Sequence, residues 1–459
     1  MTFQETITNI LEEFKAKILS LSLSKIFQSL DLLAFEKALY ELDQKLYNDL
    51  CKALLDNFLT SKYFKELCDA YVGKKGGGKL KPKDTKLQIR TGEYIKIPNF
   101  YVENPRKTWT ETRHLFHCLF GSISQASPAY LSQVSMFSVV CPSFEIASEM
   151  LQSQFVSTNY NRVRDLSIKV GNASLTSRVG IQFKEGETLA GKVVSLSTDG
   201  GRSRIREDKE TFNEAETHRL YDTPWREPKL FVIHILDKET GKQSKTELPI
   251  YDCTLGDKGD NKHFDLLSEY LKKLEIDKAE KVQFVADGAA WIWNRARPML
   301  EQLGVKPGNI IETLDYYHAT EHLSVMVKSL PKRITKEQKA ELLIELKKLL
   351  WEGKISKMIN KIKTVVKRTN KDIRREFKYF TKHIERCRYS YFKENKFLCG
   401  SGMVESAIRR VINLRFKCPS SFWRKENLEA LVFLRATLLS KRWTYLIKNL
   451  VVLQQKKCT

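Results

Sequence analysis

Val193-Val194-Ser195-Leu196-Ser197-Thr198-Asp199-Gly200 and Val282-Gln283-Phe284-Val285-Ala286-Asp287-Gly288 carry one pattern twice: a short, largely apolar run that stops at an aspartate followed by glycine. Runs this short, rich in β-branched residues, read as strands buried in a sheet. A carboxylate at a strand's C-terminal end stands at the sheet edge, where α/β proteins build their sites. The glycine after it lets the backbone turn away and leaves the oxygens open. Asn309–Leu314 repeats the strand and ends at Asp315, without the glycine.

Working outward, Lys229–Leu236 reads as another strand and Thr246–Cys253 as a weaker one, while Phe264–Leu274 and Trp291–Leu303 read as helices. Strands that alternate with helices after an antiparallel opening predict an α/β fold, a mixed sheet covered by helices. From Pro331 to Lys396 the strand signal vanishes. Apolar residues recur there at helical spacing three times: Leu342, Leu346 and Leu350; Ile355, Met358 and Ile362; Ile373, Phe377 and Phe380. That stretch holds 21 Lys and Arg against 8 Asp and Glu, so +13 of the chain's +23 lies in one helical insertion. A surface that clamps nucleic acid explains such a concentration more simply than an evenly solvated face.

Before the sheet, Thr6 to Tyr71 reads as helical and ends at the basic glycine-rich joint Gly73-Lys74-Lys75-Gly76-Gly77-Gly78-Lys79. The domain plan is a helical region over 1–73, a linker over 74–86, a DNA-binding region over 87–180, a core over 190–330, the insertion over 331–396, and the rest of the core with C-terminal helices over 397–459. Leu87–Arg90 and Tyr94–Ile97 suggest a hairpin across Thr91-Gly92-Glu93. Ser143–Gly171 has helix-turn-helix proportions, with Ser143 capping one helix and Ser157 or Thr158 the next. Tyr160, Val163, Leu166 and Val170 would form the apolar face of the second helix. Asn159, Asn161, Arg162 and Arg164 would then face DNA. A plain helical hairpin is the alternative.

The 459 residues are 42% hydrophobic, enough for real cores, and no apolar run reaches the roughly 18 residues of a membrane span. Nine scattered cysteines without a CxxC pair signal neither a zinc ribbon nor a disulfide framework, and point to reduced thiols in the cytoplasm. No Gly-x-x-x-x-Gly-Lys-[Ser/Thr] loop occurs, which disfavours a metal-free nucleotide enzyme.

A third acid, Glu405, lies in Gly400-Ser401-Gly402-Met403-Val404-Glu405-Ser406-Ala407, where Gly-Ser-Gly reads as a helix start with Arg409 one turn further on. Carboxylates converging from two strand ends and a helix suit hard cations, Mg²⁺ or Mn²⁺. Two such ions about 3.5–4 Å apart can activate an attacking oxygen and stabilise a leaving one. His318 and His322 share a helical face, a zinc-compatible spacing that no nearby Cys or further His completes. The better expectation is that one of them touches a scissile phosphate or orients an acid. Arg202 and Arg226 could hold phosphates, and Trp423 could contact DNA. Of Trp291 and Trp293, one packs in the core and the other could stack on a base.

Five words occur in order: Ser197-Thr198-Asp199-Gly200-Gly201-Arg202; Pro224-Trp225-Arg226-Glu227-Pro228-Lys229-Leu230; Val285-Ala286-Asp287-Gly288-Ala289-Ala290-Trp291-Ile292-Trp293; Asp315-Tyr316-Tyr317-His318-Ala319-Thr320-Glu321-His322-Leu323; and Gly400-Ser401-Gly402-Met403-Val404-Glu405-Ser406. Over roughly 190–440 they resemble the bacterial insertion-sequence transposases with an RNase H-like core, in particular the subgroup with an Asp-Gly-Gly-Arg first motif. The first 180 residues match more loosely, through Ile89-Arg90-Thr91-Gly92. The resemblance implies that Asp199, Asp287 and Glu405 form a metal-binding catalytic triad. It also implies that the helical segment between Asp287 and Glu405 is an insertion into the core. The expected activity is metal-dependent cleavage at the ends of a mobile element, then attack of the freed 3′-hydroxyl on target DNA by a homo-oligomer. A nuclease on the same fold without strand transfer, and a non-catalytic DNA-binding derivative, are the alternatives.

Overall fold

The computed structural model describes residues 2–22, 31–74, 79–103, 113–209, 220–256, 261–366, 369–419 and 421–458. The chain forms two compact units, one of residues 1–176 with 444–459, the other of residues 177–443.

The second unit is built on a five-stranded mixed sheet. Across it the strands run Ile250–Thr254, Lys229–Leu236, Val193–Gly200, Lys281–Ala286 and Ile310–Leu314. The first three are antiparallel neighbours, and the last two run parallel to the central 193–200 strand. Val194, Leu196, Val282, Phe284, Phe231 and Ile233 are buried in one apolar core with Phe264, Leu267 and Leu271 of the Lys262–Lys273 helix. Burial on both faces explains why these strands read as near-continuous apolar runs. Of their polar side chains, the Thr198 hydroxyl lies 2.6 Å from His263 Nε2 and donates to the Leu230 carbonyl at 3.0 Å, whereas the buried Ser195, Ser197 and His234 side chains have no hydrogen-bond partner among the described residues.

Two expectations shift. The strand expected over Thr246–Cys253 begins only at Ile250, because Ser244 Oγ accepts the Thr246 and Glu247 N–H groups in a turn. The helix expected over Trp291–Leu303 is two helices, Ala290–Trp293 and Ala296–Gln302. Pro298 has no N–H to give and is tolerated in the first turn of a helix, so the second helix restarts just before it.

The segment between the last strand and Glu405 is helical. Lys336–Trp351 starts at a capping box of Thr335 and Gln338, and Ile355–Val365, Lys371–Lys382 and Tyr389–Glu394 follow. Leu342, Leu346, Leu350, Met358, Ile362 and Phe380 face inward at the predicted spacing. Lys336, Lys347, Lys363, Lys378 and Lys382 form no ion pair among the described residues.

In the first unit, helices Phe3–Ser22, Leu32–Leu59 and Lys62–Lys74 precede the hairpin of Thr85–Gln88 with Tyr94–Ile97. The glycines 76–78 of the expected linker lie outside the described residues. Lys79–Pro82 is no linker, because it pairs as a strand with Phe100–Glu103. Helices Pro128–Val140, Phe144–Ser153 and Tyr160–Leu175 follow. Residues 444–458 belong to this unit, whereas the sequence plan grouped all of 397–459 with the core. Gln455 Nε2 donates to the Leu119 carbonyl at 2.8 Å, and the Val451 carbonyl sits against Gly121, whose φ of +63° suits glycine. No described helix is long and apolar enough to cross a membrane, and the eight described cysteines are free.

Candidate active site

Strand register sets the acids side by side. Lys281 pairs with Val193 and Val285 with Ser197, so Asp287 leaves its strand level with Asp199 on the next. Ala286 pairs with Leu314, so Asp315 follows on the third parallel strand. Three aspartates therefore end three adjacent strands, and their partners separate them. Among the described residues the Asp199 carboxylate accepts only the Gly200 N–H, at 2.7 Å, and Asp287 Oδ1 accepts the Ala289 N–H at 2.9 Å. Fully buried Asp315 is spent: it caps helix Tyr316–Lys328 through the His318 N–H at 2.8 Å. Its other oxygen accepts both the N–H and the hydroxyl of Ser401. Asp315 thus ties the start of helix Gly402–Ile408 to the helix that carries His318.

Burial pushes the Asp199 carboxyl up to about 6. The Gly200 N–H opposes this, negative Asp287 adds to it, His318 opposes it, and Glu227 adds to it. Glu227 was not singled out from the sequence. Its carboxylate covers Gly200 so closely that a Cβ there would meet Glu227 Oε1 at 2.1 Å. Lys229 pairs with Gly200, so a residue two positions before Lys229 must pass this strand end; that register is the signal that finds it.

Glu405 comes from the other side. A Cβ on Gly201 would meet Ile412 Cδ1 at 2.7 Å and Ile408 Cγ2 at 3.5 Å, so glycine lets the Glu405 helix lie directly on the strand end. That helix changes to a π-turn over Arg409–Asn413, a distortion frequent at functional sites. His318 links the two sides. Its Nε2 lies 3.8 Å from Glu405 Oε1, and its charge bears on Asp199. Among the described residues no three His, Cys, Asp or Glu side chains stand close enough to hold a metal ion. Ligands of such an ion would converge by a rotamer change, which Glu405 permits with its side chain half exposed. The donor set itself, carboxylates with most lone pairs unspent, fits a hard cation.

The helical insertion packs onto the Asp287 turn. A Cβ on Gly288 would strike the Tyr379 ring at 2.1 Å. Tyr379 stacks on His322 with centroids 3.8 Å apart, and His322 Nδ1 lies 2.6 Å from Glu376 Oε2. Trp293 Nε1 donates to the Asp287 carbonyl, and Arg386 lies 4.4 Å over the Trp293 ring.

No family model matches the chain, and no curated protein matches it. Among solved structures it is similar to the Drosophila P element transposase strand transfer complex. Identity is 13%, coverage is 75% of this chain and 86% of that one, and the TM-score is 0.26. A likeness that loose gives no residue correspondence.

The remaining residues expected at the site divide. Arg202 and Arg409 are exposed and form no ion pair among the described residues. Arg226 is held by Glu207. His322 is paired with Glu376 and stacked on Tyr379. Trp423 is half-buried against Phe416 and Arg415. Trp293 is core, and Trp291 lies beneath Lys229 Nζ at 4.1 Å.

In the first unit Arg162 is engaged within the chain: it donates to Gln88 Oε1 at 2.8 Å and to the Ser124 carbonyl at 2.9 Å. Arg164 pairs with Asp165, and Asn161 stays exposed. Asn159 caps the second helix instead of Ser157 or Thr158, because the Tyr130 hydroxyl occupies the Thr158 hydroxyl at 2.9 Å and the Ser157 N–H donates to the Thr91 carbonyl. Tyr160, expected on the apolar face, is half exposed.

Proposed function

We propose that this chain is a DNA transposase of RNase H-like architecture, acting through Asp199, Asp287 and Glu405. The observation that carries the reading is the pair of strand-end aspartates held level, where burial, with the negative Asp287 adding to it, lifts the Asp199 carboxyl to about 6. Like charges are gathered at this cost where a cation is to be bound. Three antiparallel strands followed by two parallel ones, with a basic helical insertion before the helix of the third acid, support the same architecture.

Two Mg²⁺ or Mn²⁺ ions at these carboxylates would supply the Lewis acidity that activates a water or 3′-hydroxyl and stabilises the leaving oxygen. The chain's own residues do the rest. Asp199 and Asp287 fix the register of the site on a rigid sheet. Asp315 and Ser401 lock the helix that presents Glu405. His318, between Glu405 and Asp199, is placed to donate to a phosphate oxygen. Arg202, Arg409 and the unpaired lysines of the insertion neutralise backbone phosphates, so binding falls with salt.

The test is cleavage of labelled duplexes carrying the DNA that flanks this chain's own coding sequence, with Mg²⁺ or Mn²⁺, by the native protein and by Asp287→Asn. Nicking and joining that vanish in the variant while DNA binding persists support the proposal. Nicking without joining makes the protein a nuclease. Equal cleavage by both proteins places the active site elsewhere.

A further inference from the structure

We propose that a cavity on the flank of the acid site binds a nucleotide. The cavity measures about 360 Å³, within the range of about 300–1,000 Å³ usual for small-molecule sites. Its wall is aromatic: Tyr316, Tyr317 and Trp351 line it, with Tyr316 edge-on to Trp351 at 5.2 Å and to Tyr317 at 6.0 Å. Its rim is cationic: Lys242, Lys393 and Lys396. No Asp or Glu lines it, and none of the three ammonium groups is within ion-pair distance of an acid among the described residues.

A greasy pocket alone would take any apolar group, and three lysines alone any anion. Together they select a ligand with a flat aromatic part and a phosphate, because a base stacks on aromatic faces while phosphate draws ammonium groups. Tyr317 supports this role, since this large aromatic residue is 67% exposed. An exposed ring at the mouth of a cavity lacks the partner face that a base supplies.

Place matters as well. Tyr317 precedes His318, and a Cβ on Gly400 would meet the Tyr317 ring at 3.2 Å and Asp315 Oδ2 at 3.5 Å. The cavity therefore shares its wall with the pin that presents Glu405. Two sources offer the same chemistry: a free nucleotide, or a nucleotide unpaired from DNA at the acid site, the latter resting on the proposed function.

The experiment measures equilibrium binding to the full chain in EDTA, so that no outcome depends on cleavage. The probes are ATP, inorganic phosphate, a duplex with one bulged 2-aminopurine, and the same duplex with an abasic position. The variants are Tyr317→Ala and Lys393→Gln with Lys396→Gln, each checked for native circular dichroism and thermal midpoint; Tyr317 is exposed enough to be removed without unfolding. ATP binding tighter than phosphate, and weakened tenfold or more by both variants, supports a free-nucleotide site. The same loss for the bulged base over the abasic duplex, with no ATP binding, supports an unpaired DNA nucleotide. Phosphate binding as well as ATP, with no preference for the bulged base, overturns the proposal. So does affinity for every probe unchanged in both variants, or binding of neither ATP nor the bulged duplex.

Discussion

Asp199→Asn should stabilise the protein while removing its proposed activity. The carboxyl is raised from 3.8 to about 6. At about 1.4 kcal/mol per tenfold, that corresponds to a gross cost of about 3 kcal/mol for holding the folded chain ionised at neutral pH. Asp199 keeps contact with solvent, so screening reduces the net to about 1–2 kcal/mol. The sign follows from linkage. Between pH 3.8 and 6 the folded state binds more protons than the unfolded one, so the native protein loses stability as pH rises through that window. Asparagine has no proton to lose. Its advantage should therefore be full above pH 7, shrink as pH falls through 6, and be absent by about pH 4. Six of the seven tryptophans lie within 177–443, so intrinsic fluorescence in urea reports on the unit that holds the site. The assay is a series of urea titrations from pH 4 to 8 in EDTA. At pH 7.5 the variant should be about 1–2 kcal/mol more stable, and Mn²⁺ should raise the midpoint of the native protein more than that of the variant. A variant less stable at pH 7.5, or an advantage that does not change between pH 4.5 and 8, refutes the reasoning.

Arg178 is buried with its guanidinium on both oxygens of Asp252, at 2.6 and 3.0 Å, and 2.7 Å from Glu429. Arg178→Ala leaves the fully buried Asp252 without its counter-charge and should cost about 3–5 kcal/mol in urea unfolding; a loss under 1 kcal/mol would mean that water replaces the guanidinium. Ser401→Ala removes one buried bond to Asp315 and should cost about 1–3 kcal/mol, with a larger relative loss of cleavage than of DNA binding. Equal losses in both assays would show Ser401 to be structural only. Gly288→Ala drives a methyl into the Tyr379 ring, which is held by His322, whereas Gly200→Ala meets the Glu227 side chain from Cγ to Oε1, a flexible chain that can swing aside. The first should lower the thermal midpoint by several degrees and the second little, and the reverse order would sink the packing account.

The sheet was legible in the sequence because its parallel strands are buried, which leaves a run such as Val282–Ala286 with Gln283 as its one polar residue and puts Val194 and Leu196 in the core. The insertion was legible from its helical spacing and charge. What escaped depended on partners distant in sequence. Asn159 took the cap because Tyr130 and Thr91 claimed its neighbours, and Arg162 was bound by Gln88 and Ser124. Glu227 could be placed over Gly200 only once the antiparallel register was known. The three strand-end aspartates show where local sequence does decide. After Asp199 and Asp287 comes glycine; the first strand runs on through Gly200, paired with Lys229, whereas the second stops at Ala286, and each carboxylate keeps lone pairs free. After Asp315 a helix begins at once, so its side chain faces that helix's own N–H groups and is consumed as a cap before any ligand can reach it. The residue following a strand-end acid thus separates a capping carboxylate from one whose lone pairs stay free. Only the second oxygen of Asp315, taken by Ser401 from 86 residues away, had to await the fold.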